Sequence, residues 1–313
     1  MKVEQKLEAA LKEKFGENPF KRPDIDLIAS ELKIKTKDKL KIMEKYKKAH
    51  GVYSLEPEAA PKKEESTAVI FKRIKERFAL LNQIATVAAH GQIRALIVSG
   101  PPGLGKTHVV TEAVESHAAY HTFLSGIASP AGLYRALHET RDAGSVCIID
   151  DCDTIFSDLG SLNILKAACD STKRRILRWS SDYSFGKDKE HIEKTFEFKG
   201  TVIFITNIDF ETQLKNPNSK LYPHIKALLS RTHYLPLDIK TQKECLIRIQ
   251  ELIKTLHRQG NFSREEALDV VNFIRENANK LRELSVRTAI KLTQLRATVE
   301  DWKTVARITM CKN

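Results

Sequence analysis

Eight residues, Gly100-Pro101-Pro102-Gly103-Leu104-Gly105-Lys106-Thr107, constrain this chain more than any other stretch. Two glycines flanking four residues, followed by Lys-Thr, make the pattern of a phosphate-cradling loop. Gly100, Gly103 and Gly105 lack a Cβ, so the backbone can turn tightly and bring N–H groups to phosphate oxygens. Lys106 supplies a positive charge for the β- and γ-phosphates, and the Thr107 hydroxyl a ligand for Mg²⁺. The flanks agree. Residues 95–99 form a continuous apolar run that reads as a buried parallel strand, and 108–119 read as a helix. The helix opens at His108 with its N-terminus toward the phosphates. The stretch predicts a nucleotide site.

Two further apolar runs end in polar residues. Residues 145–149 run into Asp150-Asp151, a buried strand whose carboxylates emerge at its C-terminal end. Asp150 is expected in the Mg²⁺ shell, and Asp151 where a base orienting the attacking water belongs. Residues 200–205 lead to Thr206-Asn207, and this strand is expected between the two nucleotide strands. From there the neutral Asn207 amide could align the γ-phosphate or the water. A short helix over 227–230 then reaches Arg231, ahead of a strand at 234–237. The remainder reads as helices over 241–257, from a Ser263/Glu266 capping box to about 277, from Ser285 through Arg287, and over 301–308.

Upstream, Ile70, Ile74, Phe78 and Leu81 mark an amphipathic helix from Thr67. Residues 56–66 are charged and unpatterned, a linker. Residues 1–55 read as a small module of three helices over 3–15, 25–32 and 38–50. Its last part carries eight lysines between 33 and 48 against Asp38 and Glu44. A basic third helix suits a helix-turn-helix DNA reader or a docking module with a solvated lysine face. The chain's 313 residues leave room for about two domains. Its 52 basic and 40 acidic residues leave a net charge of 52 − 40 = +12, which favours a polyanionic partner. No apolar run approaches a membrane span of about 20 residues, and the amino terminus lacks a signal-peptide core, so a cytoplasmic protein is expected. Cys147, Cys152, Cys169, Cys245 and Cys311 show no metal-ligand spacing and read as thiols rather than disulfides or zinc ligands.

In order, GPPGLGKT, VCIIDD, ITN, LLSR and SVR resemble the motif series of the AAA+ ATPases over about residues 67–310. The resemblance implies an α/β fold: a parallel five-stranded sheet flanked by helices at 67–239, a helical lid at 240–313, and the small N-terminal helical module. It implies ATP and Mg²⁺ as cofactors, bound by residues 100–108 (Gly100, Pro101, Pro102, Gly103, Leu104, Gly105, Lys106, Thr107 and His108), with Thr107 and Asp150 at the metal. Catalysis would fall to Asp151, to Asn207 as first sensor, to Arg231 as a finger reaching the neighbouring subunit's site, and to Arg287 as second sensor in the lid. A ring or spiral homo-oligomer, a hexamer, follows from a finger acting in trans. The family's base is usually glutamate. Asp151 is one methylene shorter, which puts fast hydrolysis in doubt.

The substrate is less legible. Protein-threading relatives carry an aromatic residue after the second strand, and residues 126–132 have none. Residues 174–179 and 194–198 alternate like the arms of a hairpin. Its tip offers Lys187 and Lys189 to phosphates and Tyr183 or Phe185 for stacking on bases, unless those aromatics pack on their own sheet. The sequence therefore predicts an ATPase that remodels or loads on DNA. The alternatives are a protein-remodelling chaperone with an adaptor, or a slow nucleotide-gated scaffold.

Overall fold

The computed structural model describes residues 3–15, 20–36, 39–40, 43–44, 47–49, 52–53, 65–180, 192–217, 219, 222–258 and 263–312. The chain divides into two units, Met1–Glu65 and Ser66–Asn313.

In the first unit, apolar residues recur at helical spacing and meet in one core. Leu7 and Leu11 come from the helix Val3–Phe15, and Ile25, Ile28 and Ala29 from the helix Arg22–Glu31; Phe20 and Met43 complete the cluster. Pro23 sits in the first turn of the second helix, where no N–H is missed. A three-stranded antiparallel sheet joins these helices. Phe20–Lys21 (β1), Lys47–Ala49 (β2) and Val52–Tyr53 (β3) assemble in the order β1-β3-β2. The expected third helix over 38–50 is therefore shorter than its pattern suggested. Strands of two or three residues are too short to print an alternation of their own.

In the second unit the apolar runs become the strands Ala95–Ser99 (β4), Tyr120–Ser125 (β5), Ser145–Asp150 (β6), Thr201–Thr206 (β9) and His233–Pro236 (β10). They form one parallel sheet in the order β10-β4-β9-β6-β5. β4 and β9 are buried at every position, as strands covered on both faces must be. β9 lies between β4 and β6, so Ser99 pairs with Thr206 and Asp150 with Ile205. The C-terminal ends of the loop strand, the acidic strand and the Asn207 strand thus open side by side. The helix Thr67–Ala89 covers one face through Ile70, Ile74, Phe78, Leu81 and Ala85. Leu133, Tyr134, Leu162 and Leu165 cover the other.

Ile176–Arg178 (β7) and Thr195–Glu197 (β8) pair antiparallel, so the arms of the expected hairpin exist. Phe196 and Phe198 are buried, and Phe196 packs edge-on against Tyr134 at 5.2 Å between centroids. The arm aromatics are therefore packing residues. Lys187, Lys189, Tyr183 and Phe185 lie outside the described residues.

The C-terminal helices Gln242–Arg258, Arg264–Asn277, Val286–Thr298 and Trp302–Met310 enclose their own core around Val270, Phe273, Leu292 and Trp302. Both halves of the Ser263/Glu266 capping box form, at 2.7 and 3.1 Å, and Ser285 caps the next helix through Thr288 N–H. All five cysteines are free thiols, Cys245 half-buried and the others buried. No helix among the described residues is long and apolar enough to cross a membrane.

One ion pair ties the first lid helix to the sheet domain. Glu244 receives Arg73 from the Thr67–Ala89 helix and the N–H groups of Lys240 and Thr241, at 2.8 and 2.7 Å. Burial works against the carboxylate, but these hydrogen bonds outweigh it and hold its pKa at about 2, against an ordinary 4.5. A carboxyl depressed in this way stabilises the fold fully above its ordinary pKa, and that contribution fades as pH falls from 4.5 toward about 2. Glu244→Gln should lower the melting temperature at pH 7 and flatten its decline over that acid window, read by thermal melts across pH.

Candidate nucleotide site

The backbone of residues 100–105 turns through the left-handed region at Gly103 (φ 68°) and Gly105 (φ 89°), which only glycine enters without strain. Gly105 then stands as N-cap of the helix Lys106–His117. The turn swings Lys106 back beneath the loop. Its ammonium donates to Gly100 O at 2.6 Å, Pro101 O at 2.8 Å and Asn207 Oδ1 at 2.9 Å. Burial lowers the Lys106 pKa to about 8, with the neighbouring Asp151 and Asp150 pulling the other way.

Asn207 carries this contact one step further. Its amide donates to Asp151 Oδ1 at 2.9 Å, so Lys106, Asn207 and Asp151 form one polar chain across the strand ends. Asp151 is held at φ 51°, an uncommon conformation for a residue with a Cβ, and its N–H donates to Ile205 O at 3.1 Å. Thr206 anchors the same corner by donating to Asp153 Oδ1 at 2.5 Å.

Thr107 donates to Asp150 Oδ2 at 2.9 Å. The other carboxylate oxygen, Oδ1, is buried with no hydrogen-bond partner among the described residues, and burial raises the Asp150 pKa. A hydroxyl beside a carboxylate with one buried oxygen unsatisfied is a donor set that fits a hard divalent cation such as Mg²⁺.

A cavity of about 890 Å³ opens above these groups, within the range of roughly 300–1,000 Å³ usual for cofactor sites. Lys106, Thr107, Asp150, Asp151, Asn207 and Arg287 all line it, as do Pro102, Gly103, Gly105 and His108. Not every loop residue faces this space. Gly100 and Pro101 line a smaller adjoining cleft and hold the Lys106 ammonium through their carbonyls, while the Leu104 side chain is buried in the core. The His108 side chain is exposed beside Glu112. Arg287 reaches the cavity from the lid; its charge adds to the burial that lowers the Lys106 pKa and works against the burial that raises that of Asp150.

Arg231 stands outside this lining. Its guanidinium pairs with Asp170 at 3.3 Å and donates to Ala227 O at 2.7 Å, with its side chain 31 % exposed. It is neither in this cavity nor deep in the interior.

Part of the cavity lining is not legible in the sequence. Phe78, Asn82 and Thr86 line the cavity from the Thr67–Ala89 helix, and Arg248, Leu252 and Ile290 from the lid. The sequence marks Phe78 only as part of an amphipathic helix, and helical periodicity cannot say which part of an apolar stripe borders a cavity. Arg248 lies inside a helix pattern without motif spacing. The lid also touches the loop directly. Val286 N–H donates to Gly103 O at 2.7 Å, and a Cβ added at Gly103 would stand 2.6 Å from Ser285 Cβ.

A parallel β10-β4-β9-β6-β5 sheet with a glycine-rich loop after β4, an acidic pair after β6, an asparagine after β9 and a helical lid beside them is the AAA+ P-loop architecture. Within that class, the chain belongs to the same family as a phage T4 protein described as "Uncharacterized 36.7 kDa protein in nrdC-mobD intergenic region". The two are 36% identical over 242 residues, which is 75% of this chain and 73% of the T4 protein. No family model matches the chain. Similar solved structures include Thermotoga maritima RuvB as a proline-to-glycine mutant, at 19% identity and TM-score 0.45, covering 77% of this chain and 66% of that one. Another is the T. maritima RuvB described as a Holliday junction branch migration motor, at 19% identity and TM-score 0.41, covering 77% and 65%. The chain thus spans just under two thirds of the length of these RuvB structures.

Because Gly103 combines a left-handed backbone with contact against the lid, Gly103→Ala should cost about 1–3 kcal/mol in strain and clash. The expected signature is a lower melting temperature together with weakened nucleotide binding by calorimetry; unchanged values for both would contradict the packing described.

Proposed function

We propose that this protein is an AAA+ ATPase that binds ATP with Mg²⁺, hydrolyses it in a homo-oligomer, and uses the cycle to remodel or load on DNA. The observation that carries the ATPase reading is the joined pair of contacts at the strand ends, Lys106–Asn207–Asp151 and Thr107–Asp150, with Asp150 Oδ1 unsatisfied.

The chemistry follows from what these groups can do. Lys106 exchanges its backbone carbonyl acceptors for phosphate oxygens and neutralises their charge. Thr107 and Asp150 would hold the Mg²⁺, which supplies charge compensation between the β- and γ-phosphates. Asp151 accepts a proton from the attacking water, and Asn207, already bonded to both Lys106 and Asp151, aligns that water with the γ-phosphate. The shorter Asp151 side chain reaches less far than a glutamate would, which suits a slow, switch-like turnover. Arg287 brings positive charge to the same end of the cavity from the lid.

Arg231 completes the site in trans. A guanidinium from the next protomer would stabilise charge developing on the transferring phosphoryl group. In the isolated chain Asp170 holds that guanidinium, so assembly has to open this partly exposed pair. DNA is the proposed substrate because the chain carries net charge +12, the lysine-rich stretch 33–48, and Lys187 and Lys189 in the sequence between the paired strands β7 and β8.

Asp151→Asn should keep ATP affinity while lowering turnover by about 10²- to 10⁴-fold, measured by calorimetry and steady-state phosphate release. Arg231→Ala should bind ATP normally and hydrolyse it poorly, and mixing it with Asp151→Asn subunits should restore part of the rate; no restoration would remove the trans assignment. Single- or double-stranded DNA should stimulate the wild-type ATPase, and Lys187→Ala/Lys189→Ala should lose that stimulation. A rate indifferent to DNA would instead leave a protein substrate or a scaffold.

A further inference from the structure

Besides Arg287, the lid sends a second arginine into the cavity. Arg248 belongs to the helix Gln242–Arg258, and its side chain is only 5 % exposed. Burying a guanidinium is costly unless its donors are used, and burial pushes its pKa down. Nη1 pairs with Glu251 at 2.8 Å, and Nε donates weakly to Leu104 O in the phosphate loop at 3.4 Å. The guanidinium carbon lies 3.3 Å from the centroid of the Phe78 ring. Nη2 has no hydrogen-bond partner among the described residues, and a Cβ placed on Gly105 would meet it at 3.6 Å. Gly105 is the N-cap of the helix whose amino end faces the cavity, and Arg248 itself lines that cavity.

A planar cation is thus clamped on one side by an aromatic face and on another by a loop carbonyl, with its spare N–H groups beside the helix N-terminus. Arg248 is held against Phe78 and the Leu104–Gly105 backbone, whereas the charge of Arg287 acts on Lys106 and Asp150. The two lid arginines therefore meet different groups of the cavity.

We infer that Arg248 Nη2 is a ligand contact of the nucleotide site, donating to the sugar–α-phosphate portion shared by ATP and ADP, and so holds the lid closed on either nucleotide. This rests on the nucleotide reading above and deepens it. Phe78 and Glu251 act as positioning residues that keep the guanidinium flat against the ring and turned toward the loop. The lid's grip would then persist after hydrolysis, with only the Arg287 end sensing loss of the γ-phosphate.

The test is titration calorimetry of ATP and ADP, each with Mg²⁺, on the full chain carrying Arg248→Gln, Arg248→Lys or Arg287→Ala, with melting curves with and without ADP. A lost hydrogen bond to a charged group predicts that Arg248→Gln weakens ATP and ADP alike by about tenfold or more, and shrinks the melting-temperature gain from ADP. Arg248→Lys, which keeps charge without the planar fork, should recover part of both. Arg287→Ala should weaken ATP more than ADP. Should Arg248→Gln lower the melting temperature without ligand but leave both affinities and the ADP-induced gain unchanged, the residue is only a packing element and the inference falls. A loss confined to ATP overturns it as well. Lys106→Ala separates the two levels: if that variant still binds nucleotide, the site reading itself fails, whatever Arg248 does.

Discussion

A lysine charge buried at the ends of the strands needs acceptors and nearby carboxylates, and the rest of this site is built to supply them. Lys106 is 5 % exposed, and its ammonium donates three hydrogen bonds, to two loop carbonyls and to Asn207. The carbonyls can face it only because the loop turns left-handed at Gly103 and Gly105. Asn207 can reach it only because β9 lies between β4 and β6. Two aspartates follow on the next strand and offset part of the desolvation. Backbone turn, strand order and carboxylate placement thus answer one electrostatic demand.

The lid meets the same loop from the other side. Gly103 packs against Ser285 and accepts from Val286 N–H, Leu104 O receives Arg248, and Arg73 and Glu244 join the first lid helix to the helix covering the sheet. A rearrangement of the loop around a ligand would be transmitted to the lid through these short contacts. The coupling needs no long pathway, since the lid touches the loop itself.

Asp151 is the site residue with the least ordinary backbone. It has an uncommon backbone conformation, is exposed, and gives its carboxylate to Asn207 rather than to a structural partner. Residues held in sparse backbone regions cluster at working sites, because surrounding structure must over-determine them. Here the ladder bond from Asp151 N–H to Ile205 and the Thr206–Asp153 contact supply that support. Arg231 is the counterpart at the surface, held by Asp170 and free of any core role.

Much of the fold was legible because strands buried on both faces write unbroken apolar runs, as at Ala95–Ser99 and Thr201–Thr206, and because capping residues such as Ser263 and Ser285 declare helix starts. The short strands of the first unit were not, since Lys47–Ala49 lies inside a lysine-rich stretch with no alternation. By itself, the sequence determined the loop, the acidic pair, the Asn207 strand and the helices that follow the sheet, each of which is local chemistry at fixed spacing, and it placed the Asn207 strand between the loop strand and the acidic strand. Only the tertiary structure decided that Asn207 bridges Lys106 and Asp151, that Phe78 and Arg248 stack at 3.3 Å beside the loop, and that Gly103 leaves room for Ser285. Those contacts join residues 56 to 182 positions apart, and no local pattern records a distance that exists only once the sheet and lid have packed.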